Sequence, residues 1–448
     1  MGSTAVPTGY LGNLSQTQES NLQQFWSILL KSWDADAVNG TSSAEATPTS
    51  PTSSKSSKGF RRFSLLGSSQ PQTEEELPSL GENLQSKLKE ENATAEEIKS
   101  VQRVLAKLRG EELRRAYLSL LKQDHPDALL LRFLRAENFN VVKAYIKFIK
   151  ALHWRVKEYN VDEVMSKGEL HAVEQSKRPD SSPEKAYGDG FVVQLNTGKG
   201  DLHGCDREGR PISIVRVRFH SPNAQNEKSL NDYIVHSIET VRLLLAQPVE
   251  NITLIFDLTG FSLSNWDFAA MKFVINSFQE NYPESLGLML IYNAPWIFSG
   301  FWKLLQPLLD PVVASKVQFV NGADDLKSFI PSEHILKELG GDEDREYKYV
   351  DPDPKENEKV KDTATRDSII AERNQLGEEF SKVTSAWVSA KADSETARRD
   401  ELIEQLRVNY WKLDPYIRAK SLLDRIGVIQ EGGKIVFYPN ETGQANGS

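Results

Sequence analysis

The residues of this sequence that could do chemistry do not form a recognisable metal or nucleotide site. The seven histidines include no pair four residues apart, and Cys205 is the single cysteine, so the spacing of a zinc site is missing. Gly198, Gly200 and Gly204 miss the dinucleotide-binding spacing by one residue, and no Gly-Lys-Ser phosphate loop occurs. We therefore predict no metal site and no nucleotide cofactor.

Two features at the end of a predicted strand could still belong to an enzyme. Residues 260–264 (GFSLS) follow that strand as the nucleophile turn of an α/β hydrolase does, but the second glycine of the turn is missing. Asp257 occupies the carboxyl end of the strand, where α/β enzymes often place catalytic groups, although a carboxylate there also caps turns. We predict that the protein has no catalytic residue and is not an enzyme; a hydrolase of unusual motif is one alternative.

The elements that could position a functional site are concentrated in residues 282–320. A strand is predicted over 286–292 (LGLMLIY), where the absence of polar alternation is typical of a strand covered on both faces. A helix predicted over 297–306 is apolar on nearly every face, so it must be buried or meet a membrane. Pro307 ends this helix, which is too short to span a bilayer. It is either an ordinary core helix or a gate over an apolar pocket.

Composition narrows the class of protein further. The length of 448 residues allows two or three domains, and the net charge of −9 argues against nucleic acid as a partner. The single cysteine fits a reducing compartment, and the N-terminus lacks the pattern of a secretory signal. No run of about 18 apolar residues occurs. We predict a cytoplasmic protein, a monomer, that associates with membranes transiently.

The chain divides into five predicted segments. Residues 1–33 contain an amphipathic helix; 34–93 are a low-complexity, largely disordered insert; 94–175 form a helical module; 176–341 form a lobe of strands and helices; 342–448 are a charged helical extension. Within the insert, Ser64 follows two arginines, a pattern that basophilic kinases use and that also arises by chance. The extension has no predicted role beyond that of an accessory segment.

The lobe alternates strands with helices. Strands are predicted over 190–195, 212–219, 252–258, 286–292 and 317–320, and the helices between them include 230–246 and 268–282. This rhythm is typical of parallel strands joined by crossovers. The fold class is therefore α/β with a mostly parallel sheet.

Several motifs resemble those of one family. The triplets Tyr282-Pro283-Glu284, Asn293-Ala294-Pro295 and Leu309-Asp310-Pro311 lead to Ser315-Lys316, and they are preceded by LLLRFLRAENFN at 129–140 and by an Asp-x-x-Gly-Arg-Pro turn at 206–211. Together they resemble the CRAL-TRIO lipid-binding family over 127–341 and are most similar to its fungal phosphatidylinositol-transfer branch. The resemblance implies a sheet that floors a lipid cavity, a helical N-terminal module before it and a helical tail after it.

The resemblance also implies a set of site residues. A headgroup site would use Glu284 and Lys316, because a carboxylate accepts hydrogen bonds from sugar hydroxyls and an ammonium offsets phosphate charge. The predicted gate consists of Phe298, Phe301, Trp302, Leu305, Leu308 and Leu309. The predicted pocket lining consists of Phe268, Met271, Ile275, Phe278 and Leu290.

One departure from the family pattern bears on the cargo. The phosphatidylinositol-transfer branch has an Arg-Lys pair after Leu-Arg-Ala, and here Glu137 and Asn138 stand in those places. We predict transfer of one lipid between membranes, phosphatidylinositol or phosphatidylcholine, with a sterol or an isoprenoid as the alternative cargo. A scaffold that presents a sensed lipid to a partner enzyme is the alternative function. Protein partners are not predicted.

Overall fold

The computed structural model describes residues 6–34, 38–39, 77–390 and 393–439. The first helix, α1, spans Gln16–Trp33 and begins with a capping box at Ser15. It is followed by a two-stranded antiparallel ladder of β1 (Val38–Asn39) and β2 (Ser79–Leu80). The helices of the N-terminal module are α2 (Glu82–Glu90), α3 (Ala95–Leu105), α4 (Gly110–Leu121), α5 (Pro126–Ala136) and α6 (Val141–His153).

The predicted insert at 34–93 is wrong at its C-terminal end. Helix α2 lies inside it, and Leu84 and Leu88, one turn apart, are buried in the core of the helical module. The Ser- and Pro-rich composition applies to the earlier part of the segment and does not extend to these leucines. Ser64 and the rest of 40–76 lie outside the described residues.

The lobe is built on a five-stranded sheet in the order β3-β4-β5-β6-β7. The last four strands are parallel, whereas β3 pairs with β4 in the antiparallel sense. The strands are β3 (Gly200–Cys205), β4 (Pro211–Arg216), β5 (Ile252–Asp257), β6 (Leu286–Tyr292) and β7 (Val317–Val320). The lobe's helices are α7 (Val161–Ser176), α8 (Pro183–Thr197), α9 (Glu227–Arg242), α10 (Phe268–Asn276), α11 (Phe298–Leu305), α12 (Pro311–Ser315) and α13 (Gly322–Leu326). The predicted α/β class with a mostly parallel sheet is confirmed.

One predicted strand is a helix instead. Residues 190–195 belong to α8, which begins where the Ser182 hydroxyl accepts from the Lys185 amide (3.2 Å) and ends at Gly198 with a left-handed backbone. Phe191 and Leu195 lie one helical turn apart and are both buried. The true first strand, β3, has the polar sequence GDLHGC, which does not show the apolar alternation of a strand.

The C-terminal extension is part of the molecular core. Its helices are α14 (Thr363–Ala390), α15 (Asp393–Ile417) and α16 (Leu422–Arg425). Phe380 and Leu406 lie in the same apolar cluster as Trp26 of α1. Arg399 donates to both carboxylate oxygens of the buried Asp127, at 2.5 and 2.6 Å. The extension is therefore more than an accessory segment, because it packs against α1 and its Arg399 bonds to Asp127 of α5.

Candidate functional site

An apolar cavity of about 220 Å³ lies between the sheet and the helices α9, α10 and α11. A space that holds one water molecule has, measured in the same way, a volume of only about 10–15 Å³. Alternate residues of two neighbouring strands form the floor: Val215 and Val217 follow this pattern along β4 and the turn after it, and Ile252, Leu254, Phe256 and Leu258 follow it along β5. Side chains of a strand alternate between its two faces, so the alternate residues that line the cavity all lie on one face of the sheet.

Two of the five residues predicted to line the lipid pocket lie in the lining of this cavity. Met271 of α10 and Phe278, in the turn that follows this helix, line the cavity together with Val274. Phe268 is 44% exposed, and Ile275 is buried without facing the cavity. Leu290 belongs to the opposite face of the sheet, where it packs in a cluster that includes residues of the segment 326–339. An apolar strand buried on both faces does not reveal which face holds the space.

The predicted gate residues divide between two environments. Phe298 and Leu305, on one side of α11, are buried and line the cavity. Phe301 is half-buried, with its ring centroid 4.3 Å from that of Trp266, and Trp302 packs edge-on against Phe319 at 5.3 Å.

Two further gate residues and two neighbours lie outside the cavity. Leu308 and Leu309 are half-buried beyond the end of α11 and do not line it. Leu304 is 57% exposed on α11, and Trp296, just before the helix, is 88% exposed. The helix thus covers the cavity with one face and presents apolar side chains to solvent with the other.

The predicted headgroup residues meet, but outside the cavity lining. Lys316 Nζ donates to Glu284 Oε2 at 3.2 Å, and Arg135 Nε lies 4.0 Å from the same oxygen. Lys316 immediately precedes β7 and Glu284 lies shortly before β6; because these two strands are neighbours and parallel, residues 32 positions apart come together. Glu137, in the place of a family cation, pairs with Lys147 at 2.8 Å.

Sequence reasoning missed one wall of the cavity. Ser421, Leu422, Leu423 and Ile426, at the C-terminal end of the chain, line it. Arg418 fixes this segment in place, because its guanidinium donates to Asp414 of α15 and to Asp424 of α16, each at 2.8 Å. The spacing of Leu422, Leu423 and Ile426 is typical of one apolar face of a helix. This spacing could have predicted that the face is buried, but it does not indicate which cavity the face lines.

The cavity also contains a polar cluster that the sequence did not indicate. Lys199 Nζ lies 2.9 Å from His220 Nδ1, and His220 Nε2 lies 3.2 Å from Asp267 Oδ2. All three residues are part of the lining. Burial lowers the pKa of Lys199 to about 8, and burial together with the Lys199 charge lowers the pKa of His220.

Asp257 has the contacts of a turn-capping carboxylate. Its Oδ1 accepts from the Thr259 amide at 2.9 Å, and its Oδ2 pairs with Arg218. Across the described residues, no group of three or more His, Cys, Asp or Glu side chains is placed to hold a metal ion. No helix in the described part of the chain combines the length and the apolar character needed to cross a bilayer.

A mostly parallel sheet that floors an apolar cavity, covered by helices, defines an α/β protein built to bind an apolar ligand. This chain belongs to the CRAL-TRIO family: the model of the CRAL/TRIO domain matches residues 195–341, and that of the CRAL/TRIO N-terminal domain matches 82–157. The resemblance carried by the sequence motifs is thereby confirmed. Proteins of this family bind and transfer lipids, and this chain is a lipid-binding protein and not an enzyme.

Three relatives indicate how far the similarity extends. The chain is 34% identical over 419 residues to a CRAL-TRIO domain-containing protein of Schizosaccharomyces pombe, covering 93% of this chain and 91% of the relative. It is 34% identical over 447 residues to the phosphatidylinositol transfer protein CSR1 of Eremothecium gossypii, covering 96% and 100%. It is 30% identical over 238 residues to the SEC14 cytosolic factor of Kluyveromyces lactis, covering 49% and 72%.

Proposed function

We propose that this protein transfers lipid between membranes, carrying one molecule of phosphatidylinositol or phosphatidylcholine in the cavity behind a mobile gate formed by α11. The observation that carries the proposal is the two-sided packing of α11, with Phe298 and Leu305 turned to the cavity and Leu304 turned to solvent. The similarity to a phosphatidylinositol transfer protein along that relative's entire length supports the cargo class.

The physics of transfer agrees with this arrangement. Each lipid methylene exposed to water costs about 0.8 kcal/mol, so a free lipid faces a high barrier on leaving a bilayer. A cavity lined by Leu, Ile, Phe and Met side chains replaces one apolar environment by another, which makes the exchange nearly neutral. The protein then acts in the cytoplasm and associates with membranes only while the gate is open.

A less charged cargo, a sterol or an isoprenoid, is the second candidate. Two observations favour it: Glu137 replaces a cation of the phosphatidylinositol-transfer branch, and the carboxylate of Glu284 is already neutralised by Lys316. Mass spectrometry of lipid extracted from the purified full chain decides between the candidates, with about one molecule per chain expected. Protein that retains no lipid would contradict the carrier function itself.

Filling the cavity should abolish cargo retention. Met271→Trp places a larger side chain on the lining face of α10, and we expect the retained lipid to fall at least about fivefold because overpacked interiors do not relax freely. Phe268→Trp, on the exposed side of the same helix, is the matched control and should retain lipid normally. Equal retention by both variants would place the cargo elsewhere.

The Glu284–Lys316 pair should select the headgroup. Lys316→Ala should lower transfer of phosphatidylinositol about tenfold, the value of one charge-assisted hydrogen bond, and leave transfer of phosphatidylcholine unchanged. Lys327→Ala, which breaks an exposed pair with Asp324, is the control. The measurement is transfer of each lipid between donor and acceptor vesicles; a parallel loss of both lipids would refute the assignment.

A further inference from the structure

Lys199 is a buried cation in the lining of the apolar cavity, and it has few hydrogen-bond partners. The residue is 6% exposed. An ammonium has three N–H donors, and among the contacts of the described residues the only hydrogen bond of Lys199 Nζ is to His220 Nδ1 at 2.9 Å. Donor capacity is therefore left over in the cavity, where an unmade bond to a charge is costly.

The nearby carboxylates are committed elsewhere. Asp267 Oδ1 accepts from the Ala270 amide at 3.0 Å and caps α10, while Oδ2 faces the distal nitrogen of His220. Asp201, also in the lining, binds Arg345 at 2.7 Å and Arg216 at 3.0 Å. Asp267 thus reaches Lys199 only through the imidazole ring. The lowered pKa of Lys199 agrees with a cation that lacks a direct anionic partner.

The cluster of Lys199, His220 and Asp267 and the predicted headgroup pair lie at opposite ends of the parallel strands. Gly200, next to Lys199, pairs with Val215 near the carboxyl end of β4. Glu284 and Lys316 lie before β6 and β7, at the amino ends of strands parallel to β4. With about 3.3 Å per residue, strands of five or six residues separate the two positions by about 17–20 Å. One phosphate group cannot contact both.

We propose that Lys199, oriented by His220 and Asp267, binds an anionic oxygen group of the cargo inside the cavity. The group is the phosphate of a phospholipid or the carboxylate of a fatty acid; either supplies several acceptors for the unused N–H groups of the ammonium. The proposal rests on the lipid-carrying function and adds a second polar position to it, separate from Glu284 and Lys316.

The test uses three probes that differ in the polar group. The full chain and its Lys199→Met variant are incubated with phosphatidylcholine vesicles, with oleic acid and with diacylglycerol, and the lipid retained per chain is measured after repurification. Lys199→Met keeps the length of the side chain without its charge. We expect the variant to retain at least about tenfold less phosphatidylcholine, oleic acid or both, and normal amounts of diacylglycerol, which has no anionic group.

The controls separate the possible failures. Normal diacylglycerol retention shows that the variant is folded with its cavity intact, and Lys327→Met, which removes an exposed charge, should leave retention of all three probes unchanged. Equal retention of all three probes by wild type and Lys199→Met, or an equal loss of all three, would overturn the proposal. So would stabilisation of the lipid-free chain by inorganic phosphate that depends on Lys199, since the site would then hold a free anion. Wild-type protein that retains no lipid at all would instead contradict the transfer function.

Discussion

Replacing Arg399 by Met should lower the free energy of unfolding by about 3–5 kcal/mol, the usual cost of leaving a buried charge without its partner. Arg399 donates to both oxygens of Asp127, and the Trp26 indole N–H donates to one of them at 2.7 Å. Asp127 is 5% exposed, so water cannot take over from the guanidinium. Urea unfolding followed by circular dichroism measures the change.

The adjacent arginine provides the matched control. The Arg398 side chain is 39% exposed and pairs with Glu379 and Glu401 at the surface, where water replaces a lost partner. Arg398→Met should therefore unfold close to wild type. If both arginine variants shifted the unfolding midpoint equally, the Asp127–Arg399 contact would not be what joins the C-terminal extension to the helical module.

The same pair predicts a change in the pH dependence of stability. Burial alone would raise the pKa of Asp127, but the Arg399 charge and hydrogen bonds outweigh it and lower the pKa to about 2 from 3.8. The wild-type carboxylate therefore stabilises the fold above about pH 4, and this contribution is lost as the pH falls toward 2. In Arg399→Met, burial is opposed only by the Trp26 hydrogen bond and the His125 charge, so the pKa of Asp127 should rise above its ordinary value and stability should fall as the pH rises. Unfolding midpoints between pH 4 and 8 test this reversal.

The double substitution Trp296→Asp and Leu304→Asp should reduce lipid transfer at least about tenfold while leaving thermal unfolding unchanged. Both side chains face solvent beside the gate, and other exposed apolar side chains of the lobe include Leu263 and Phe319. Apolar and aromatic side chains of this kind enter the interfacial region of a membrane, and carboxylates oppose that entry. Phe301 and Trp302 are less suitable targets, because their rings pack against Trp266 and Phe319.

Vesicle flotation and transfer of a fluorescent lipid measure this effect. Val408→Asp is the control, since Val408 is 42% exposed on α15 and belongs to the C-terminal extension. It should bind vesicles as wild type does. Undiminished transfer by the Trp296 and Leu304 variant, or an equal loss in the Val408 variant, would show that the membrane is met by another surface.

The local pattern of the sequence determined much of the fold and the class of the protein. The unbroken apolar run of β6 predicted a strand covered on both faces, and Tyr282-Pro283-Glu284 with Ser315-Lys316 carried the family resemblance. These features depend on residues close together in the sequence, so they can be predicted from the sequence alone. Helical spacing in the sequence also placed Met271 and Phe278 on one apolar face, and both line the cavity.

Only the tertiary structure determined which face of the sheet lines the cavity and which charged side chains lie in contact. Leu290 and Met289 are adjacent and equally apolar, yet Leu290 packs with residues that include the segment after β7 while Met289 lies in clusters of the other face. The cavity wall at Leu423 is brought to β4 and β5 from a distant part of the chain, and Lys199 contacts His220, 21 residues further on. Such contacts depend on how whole elements pack, and the residues on either side of each position do not encode them.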